Sequence, residues 1–344
     1  MPRRVVPLLL VALAFPGCGQ AAQRHDDRDH AAVGAARSFL SGYVDPDGRV
    51  VRRDQGSDTV GEGQAYALLA AAAIGDRATF DRVWGWTQAN LLRPDGLLAF
   101  HWVNGRVVDP QAASDADLDA ARALMVAGCR FRRPDLRAAA GRIGRSVLGH
   151  ETRQGVLGAG PWALQKGRTV FNPSYVDPRT LIGLGHLTGD HRYAAVAREG
   201  RRLIAALARP LPPNWANVST AGAARATGVF SWDAPRTLVR LAVDPSRAGR
   251  RIAARAWPAF SGRAAGRIAV VHNLNGAQAG TTRHPVTLVA AAGAAKAAGH
   301  GGRIAALLDA AVSLQRAQPT YYGAAWVALG RLLLTTHRLD VRPC

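Results

Sequence analysis

Five short turns built on Gly, Pro or Asp separate stretches whose apolar residues recur at helical spacing. The turns lie in "IGDRATF", "RRPDLRAAA", "LTGDHRYAAV", "AVDPSRAGR" and "AAGHGGRIAAL". An Asp or Gly in each can cap the helix that follows. Around them Ala121, Leu124 and Met125 fall three and four apart, as do Leu203, Ile204 and Leu207. Twelve such patterns lie near 30–41, 59–74, 77–92, 115–130, 134–148, 178–187, 191–208, 233–244, 246–257, 284–299, 302–316 and 320–335. Strand-like alternation is brief, as in "VFSW" and "IAVVHNL". Helical hairpins of this size cannot bury their apolar faces alone, so they stack into an open solenoid or close into a ring. Long connections at 93–114, 150–177, 209–232 and 263–283 fall between hairpins, which gathers them at one end of a ring. Loops of that length in a compact domain are functional or disordered, and these carry aromatics and prolines. The expected fold is all-α, an (α/α)6 toroid of six helical hairpins with a functional end.

No Pro/Gly/Ser-rich linker divides the chain, so a single domain is expected over 30–344. The net charge of +20 first brings nucleic acid to mind. However, there is no basic block interleaved with aromatics, no zinc-ligand spacing and no basic recognition helix, so a nucleic-acid partner is not expected. Attraction to anionic surfaces or polymers and arginine-rich coding both remain as readings of the charge. The first 22 residues, "MPRRVVPLLLVALAFPGCGQAA", read as a secretory leader, with two arginines, a short apolar run and small residues. Residues 1–18 are therefore expected to be a signal, and 19–29 a polar tether. Cys18 follows Phe15-Pro16-Gly17, which resembles a bacterial lipoprotein cleavage box and would make Cys18 the lipidated first residue. Cleavage near "GQAAQ" is the alternative. The expected location is extracytoplasmic, either free or lipid-anchored to the outer face of the cell membrane. Cys129 and Cys344 are too few for a disulfide scaffold. Cys129 reads as a small buried helical residue, and no Cys–His cluster points to a metal.

Three acidic sites each begin a helix at a hairpin mouth: Glu62 in "VGEGQAYALL", Asp115 in "SDADLDAARALMVAG", and Asp233 in "SWDAPRTLVRLAVD". Helix capping accounts for each singly. It does not account for their neighbours, since Tyr66, Trp102, Trp232 and Arg236 are residue types suited to a sugar. Aromatic faces stack on pyranose rings, and a guanidinium donates fixed hydrogen bonds to hydroxyls or carboxylates. Asp117 and Asp119 read as capping and solvated-face residues. Trp84, Trp86 and Trp326 lie in amphipathic patterns and read as packing.

In these stretches the chain resembles the family 8 glycoside hydrolases, which include bacterial endo-β-1,4-glucanases and the cellulase associated with cellulose synthase. "VGEGQAYALL" is similar to the family's "SEGQSYAL", with Gly61 and Ala65 in place of its serines. "VVDPQAASDADLD" resembles "LDPNSASDADLW", with Asp119 for the aromatic. "NPSY" is intact at Asn172 to Tyr175, "SWDAPRTLVR" matches "YDAxRxxxR" with Trp232 for the tyrosine, and "TYYGAAWVALGRLL" resembles the C-terminal helix. The resemblance implies an (α/α)6 toroid and inverting hydrolysis. Glu62 would be the general acid, Asp233 the general base, and Asp115 the residue that holds the sugar at the cleavage subsite.

Inversion needs one protonated and one ionised carboxyl about 6.5–9.5 Å apart. Glu62, among alanines, leucines and a tyrosine, has a setting that raises a carboxyl pKa, and Arg236 can keep Asp233 ionised. The glycines beside Glu62 would give backbone room for a sugar. Trp102, Tyr175, Trp232, Arg236, Tyr321 and Tyr322 are candidate substrate contacts. No metal or cofactor is required. The expected substrate is a cellulose-like β-1,4-glucan, with cellulose synthase as a candidate partner. Xylan or chitosan, or a non-catalytic role as a glycan-binding lipoprotein, are the alternatives. A lyase on a similar toroid would need a Tyr or His base and does not suit the acids at 62 and 233.

Overall fold

The computed structural model describes residues 17–341 and 344, with side chains from residue 26 onward. Its helices are α1 (Gly17–Tyr43), α2 (Gly61–Ile74), α3 (Arg77–Asn90), α4 (Ser114–Arg130), α5 (Pro134–His150), α6 (Pro178–Thr188), α7 (Arg192–Leu207), α8 (Ala234–Ala242), α9 (Arg247–Arg255), the single-turn α10 (Pro258–Ser261), α11 (Pro285–Ala297), α12 (Gly301–Ala317) and α13 (Tyr321–Thr335). Six of them form an inner ring: α2 packs on α4, α4 on α6, α6 on α8, α8 on α11, α11 on α13, and α13 back on α2. Each has an outer partner, α3, α5, α7, α9, α12 and α1 respectively. The first and last long helices therefore form the sixth pair and close the ring. The chain is an (α/α)6 toroid, not an open solenoid.

Composition sorts the helices between the layers. The inner α2 and α11, "GEGQAYALLAAAAI" and "PVTLVAAAGAAKA", are apolar all round and buried almost throughout, as a helix covered on every side must be. Small residues let the inner helices approach closely. A Cβ at Gly330 would stand 2.3 Å from the Val289 Cγ1, so α13 and α11 meet at that distance only across a glycine. The outer α7 and α9 bury only one stripe each and expose most of their arginines.

Every inner helix runs in the same direction, so all six N-termini lie at one end of the ring. The long connections arrive there, and the short turns lie at the other end. Within those connections are small antiparallel sheets: β1 (Thr59–Val60), β2 (His101–Val103) and β3 (Arg106–Asp109) in one, β4 (Thr152–Arg153) with β5 (Val156–Leu157) in the second, and β6 (Leu164–Gln165), β7 (Arg168–Phe171), β8 (Ala216–Ser219) and β9 (Ala224–Ala226) in the third. Strands of two to four residues are too short for alternation to reveal. The two segments that do alternate, "VFSW" and "IAVVHNL", meet only in an isolated bridge between Phe230 and His272.

Residues 19–29, read as a polar tether, lie within α1, which starts at Gly17. A polar stretch with no breaker after Gly19 can continue a helix on its exposed side. Asp29 in this stretch pairs through both carboxylate oxygens with Arg338, at 2.6 and 2.5 Å. The leader reading of 1–18 lies outside the described residues except for the backbone of the last two, and the Cys18 side chain is likewise outside them.

Cys129 is not a free buried thiol. It lies half-buried at the end of α4 and is disulfide-bonded to Cys344, across 215 residues of sequence. The bridge fastens the C-terminal tail to the inner ring and closes a very long loop in the unfolded chain. Replacing both cysteines by serine is expected to lower the unfolding free energy by roughly 2–4 kcal/mol. Urea unfolding with and without reductant measures this. Equal midpoints in the two conditions would show that the bridge contributes nothing.

Candidate active site

Because the inner helices are parallel, their first turns surround the axis at the end where the long connections gather. Glu62 is in the first turn of α2, Asp115 in the first turn of α4, and Asp233 immediately precedes α8. None of the three side chains caps its helix. The N-cap residues of α2 and α4 are Val60 and Ala113, and Asp233 at its N-cap position makes no capping bond. Asp115 Oδ1 accepts the Ala116 N–H at 2.9 Å, which leaves its Oδ2 and the other two carboxyls for a shared partner.

Arg236, one turn into α8, joins them. Its Nη1 donates to Asp115 Oδ2 at 2.7 Å and to Glu62 Oε2 at 3.3 Å, and its Nη2 donates to Asp233 Oδ1 at 2.7 Å. Nη1 also reaches the Tyr66 hydroxyl at 3.1 Å, and that hydroxyl lies 3.5 Å from Glu62 Oε2. The guanidinium is 1% exposed, whereas the Glu62 and Asp233 side chains are 22% and 30% exposed. Two carboxylates therefore face the opening while their shared cation and Asp115 lie beneath. Arg236 holds the three acids from beneath the opening.

Burial is the largest influence on Glu62 and pushes its carboxyl up to about 7. Arg236 pulls in the other direction, and Asp115 and Asp233 raise it further. Glu62 is thus a group that holds a proton near neutrality and faces a carboxylate across one guanidinium.

The glycines beside Glu62 serve the protein itself rather than leaving room for a sugar. A Cβ on Gly61 would lie 2.9 Å from the Ala99 carbonyl, and one on Gly63 would lie 2.7 Å from the Tyr321 hydroxyl. Both glycines let the connection before α4 and the start of α13 press against α2.

Aromatic residues border the acids on several sides. Tyr175, half-buried after β7, lies under the Arg236 guanidinium at 5.3 Å and meets Trp215 edge-on, and Trp215 in turn contacts the exposed Trp162. Trp232, 45% exposed, packs on His284, and its carbonyl accepts a bond from the Tyr322 hydroxyl at 3.0 Å. Trp102 on β2 meets Trp86 edge-on at 5.3 Å, under the Arg49 guanidinium. Trp86, expected to pack within its helix, is half-buried and belongs to this aromatic pair. Trp84, Trp326 and Tyr321 are buried in the core. Trp162 and Trp215 carry no motif, and only their place in long connections marks them in the sequence.

Asp117 and Asp119 are not surface residues. Asp119, 3% exposed, is held by both Arg240 Nη atoms at 2.8 Å. Asp117, fully buried, accepts the Leu98 N–H at 2.8 Å, and burial pushes its carboxyl well above the ordinary range. Glu151, equally buried beside it, is raised in the same way. An acid in a helical pattern reads as exposed unless its distant partner is known.

The chain matches the family profile described as "Glycosyl hydrolases family 8" over residues 25–337. It is 35% identical over 209 residues to a probable endoglucanase of Novacetimonas hansenii, covering 56% of this chain and 58% of that one. It is 33% identical over 185 residues to an endoglucanase of Xanthomonas axonopodis pv. citri, with 48% and 47% covered. Each match spans only about half the length of the relative. Among solved structures, the endo-β-1,4-glucanase CMCax of Acetobacter xylinum superposes with a TM-score of 0.78 at 30% identity, over 89% of this chain and 98% of that one. An endoglucanase of Komagataeibacter sucrofermentans follows with a TM-score of 0.74 at 27% identity, over 87% and 96%.

Proposed function

The chain belongs to glycosyl hydrolase family 8, and from that premise we propose that it cleaves internal linkages of a cellulose-type β-1,4-glucan with inversion of configuration. The observation that carries the proposal is the single Arg236 guanidinium bonded to Glu62, Asp115 and Asp233 at the open end of the toroid. Glu62 is the general acid that protonates the departing glycosidic oxygen. Asp233 is the general base that takes a proton from water on the opposite face of the sugar. Asp115, held beneath them, bonds the sugar at the cleavage point. Glu62 and Asp233 are separated by two hydrogen bonds and the width of one guanidinium. That spacing is compatible with the roughly 6.5–9.5 Å an inverting pair needs to admit water. Tyr175, Trp102, Trp232 and Tyr322 supply ring faces along the cleft for successive sugars.

The acid must be protonated to act, so activity is lost as pH rises through its pKa. With the Glu62 carboxyl at about 7, kcat/KM is expected to have its alkaline limb near pH 7 rather than near an ordinary carboxyl value of about 4.3. A pH–rate profile on a soluble glucan measures it. A limb at the ordinary value would remove Glu62 from the acid role.

Incubation with carboxymethyl-cellulose, xylan and chitosan, assayed for new reducing ends, tests the substrate. Cleavage of the first with little of the others supports the reading. No cleavage of any of them would favour a binding protein instead. NMR of the first-released anomer tests inversion, and a retained anomer would overturn that part.

The enzyme is proposed to work outside the cytoplasm. The leader-like N-terminus and the Cys129–Cys344 bridge support this, since such bridges persist in oxidising compartments. Lipid attachment at Cys18 and association with a cellulose synthase extend the proposal. Fatty-acid labelling tests the first, and co-purification from membranes tests the second.

A further inference from the structure

The outer wall carries a second feature, far from the acids. Between α7 and α9, with Ile182 and Ile252 among its lining residues, runs a groove of about 690 Å³ lined by five arginines: Arg198, Arg201, Arg202, Arg251 and Arg255. Arg201 is committed to the buried Asp244, with bonds of 2.6 and 2.7 Å, and Arg202 pairs with Glu199. Arg198, Arg251 and Arg255 are exposed and make no ion pair among the described residues. The α9 segment "RAGRRIAAR" contains no carboxylate at all. Positive charge held in a concavity attracts anions more strongly than the same charge dispersed over a convex surface.

The spacing bears on the shape of the ligand. Arg198 and Arg202 are four residues apart on α7, and Arg251 and Arg255 are four apart on α9, so each helix presents cations about one turn apart, ~6 Å. Arg202 is taken by Glu199, so the unpaired cations are Arg198 on one wall and Arg251 and Arg255 on the other. Three charges spread along both walls suit a linear polyanion better than a single small anion. A membrane surface fits less well. The groove is concave, and the exposed large apolar residues (Leu92, Phe100, Val108, Trp162, Val229 and Trp232) lie outside α6, α7 and α9, so none is placed to enter a bilayer there.

We propose that the α7–α9 groove is a non-catalytic docking site for an acidic polysaccharide with a carboxylate on each repeating sugar. Its three arginines without an ion pair, Arg198, Arg251 and Arg255, would pair with successive carboxylates while the open end of the toroid stays free. The requirement for a polyanion rests on the groove alone, and the choice of a polysaccharide rests on the proposed glycosidase function.

Polygalacturonate is the probe, with neutral galactan and vesicles containing phosphatidylglycerol as comparisons, all against the full chain. The variant is Arg198→Gln with Arg251→Gln and Arg255→Gln. The control removes the same charge at three other exposed arginines, Arg37→Gln, Arg142→Gln and Arg316→Gln, on α1, α5 and α12. Matching thermal melts establish that both variants fold. The expected result is that polygalacturonate binds the native chain but galactan does not. The groove variant then binds about tenfold or more weakly, while the control stays within about twofold. Hydrolysis of a soluble neutral glucan is unchanged in both. Equal weakening in the control would reduce the effect to diffuse net charge and overturn the proposal. So would failure of the native chain to bind polygalacturonate, or groove-dependent binding seen only with vesicles.

Discussion

Glu62→Gln lowers kcat on a β-1,4-glucan by roughly 10²–10⁴-fold, the range that a positioned general acid contributes. The amide keeps the size of the side chain, and its carbonyl oxygen can still accept the 3.3 Å bond from Arg236 Nη1. The cleft should therefore keep its shape and KM should move little. What the amide lacks is the proton that the buried carboxyl holds up to about pH 7. A control separates chemistry from folding. With an aryl glycoside whose leaving group departs without protonation, the variant should lose far less, because that substrate does not need the acid. Equal losses on both substrates would point to a distorted site, and a variant within a few-fold of native on glucan would sink the assignment.

The hairpins were legible because a helix of three or more turns repeats its apolar period several times. The long connections also pointed to a closed ring, but which helices pair was not legible, since α1 pairs with α13 across the two ends of the chain. The small sheets escaped because two- to four-residue strands have no period to detect. Glu62, Asp115 and Asp233 could be found because each stands at a helix start in an apolar setting, and parallel inner helices bring such starts together. That they share one guanidinium could not be read, because Arg236 is 174 residues from Glu62 and 121 from Asp115. The same distance hid the true place of Asp119, whose partner Arg240 lies 121 residues away. Sequence separation likewise hid the pairing of Cys129 with Cys344, 215 residues apart. Local pattern reports which face a residue takes, and long-range pairing decides whether a polar residue can be taken inside.

Arg240 gives the second large effect, on stability. Two turns into α8, it donates to both oxygens of Asp119 at 2.8 Å and to Asp177 Oδ2 at 3.3 Å. Arg122 donates to the same Asp177 oxygen at 2.9 Å and, through Nε and Nη2, to the Leu339 carbonyl at 3.1 and 2.9 Å. The four side chains are at most 5% exposed and tie α4, α8, the N-cap of α6 and the C-terminal segment together along the axis. Arg240→Leu strips Asp119 of its partner and leaves Asp177 with Arg122 alone. A broken buried pair of this kind costs about 3–5 kcal/mol, because the remaining charge has no water to return to. Urea unfolding of the variant reads this as a lower midpoint.

Adding Asp119→Leu to that variant should recover much of the loss, since a well-packed apolar pair often matches a buried ion pair. No recovery would mean that Arg240 acts through its contacts with the rest of the network rather than through the abandoned charge. The pH dependence supplies a separate reading. Burial alone would raise the Asp177 carboxyl, but Arg122, Arg240 and the Thr180 N–H and hydroxyl take it down to about 2. Its folded pKa therefore lies below the unfolded value of about 3.9. The stability it contributes is fully present above that unfolded value and is lost as pH falls through about 2. Without Arg240 the folded pKa must rise, so the variant should lose this contribution at a higher pH than the native chain. Parallel midpoint curves for the two proteins between pH 5 and 2 would show that Arg240 does not hold Asp177 ionised.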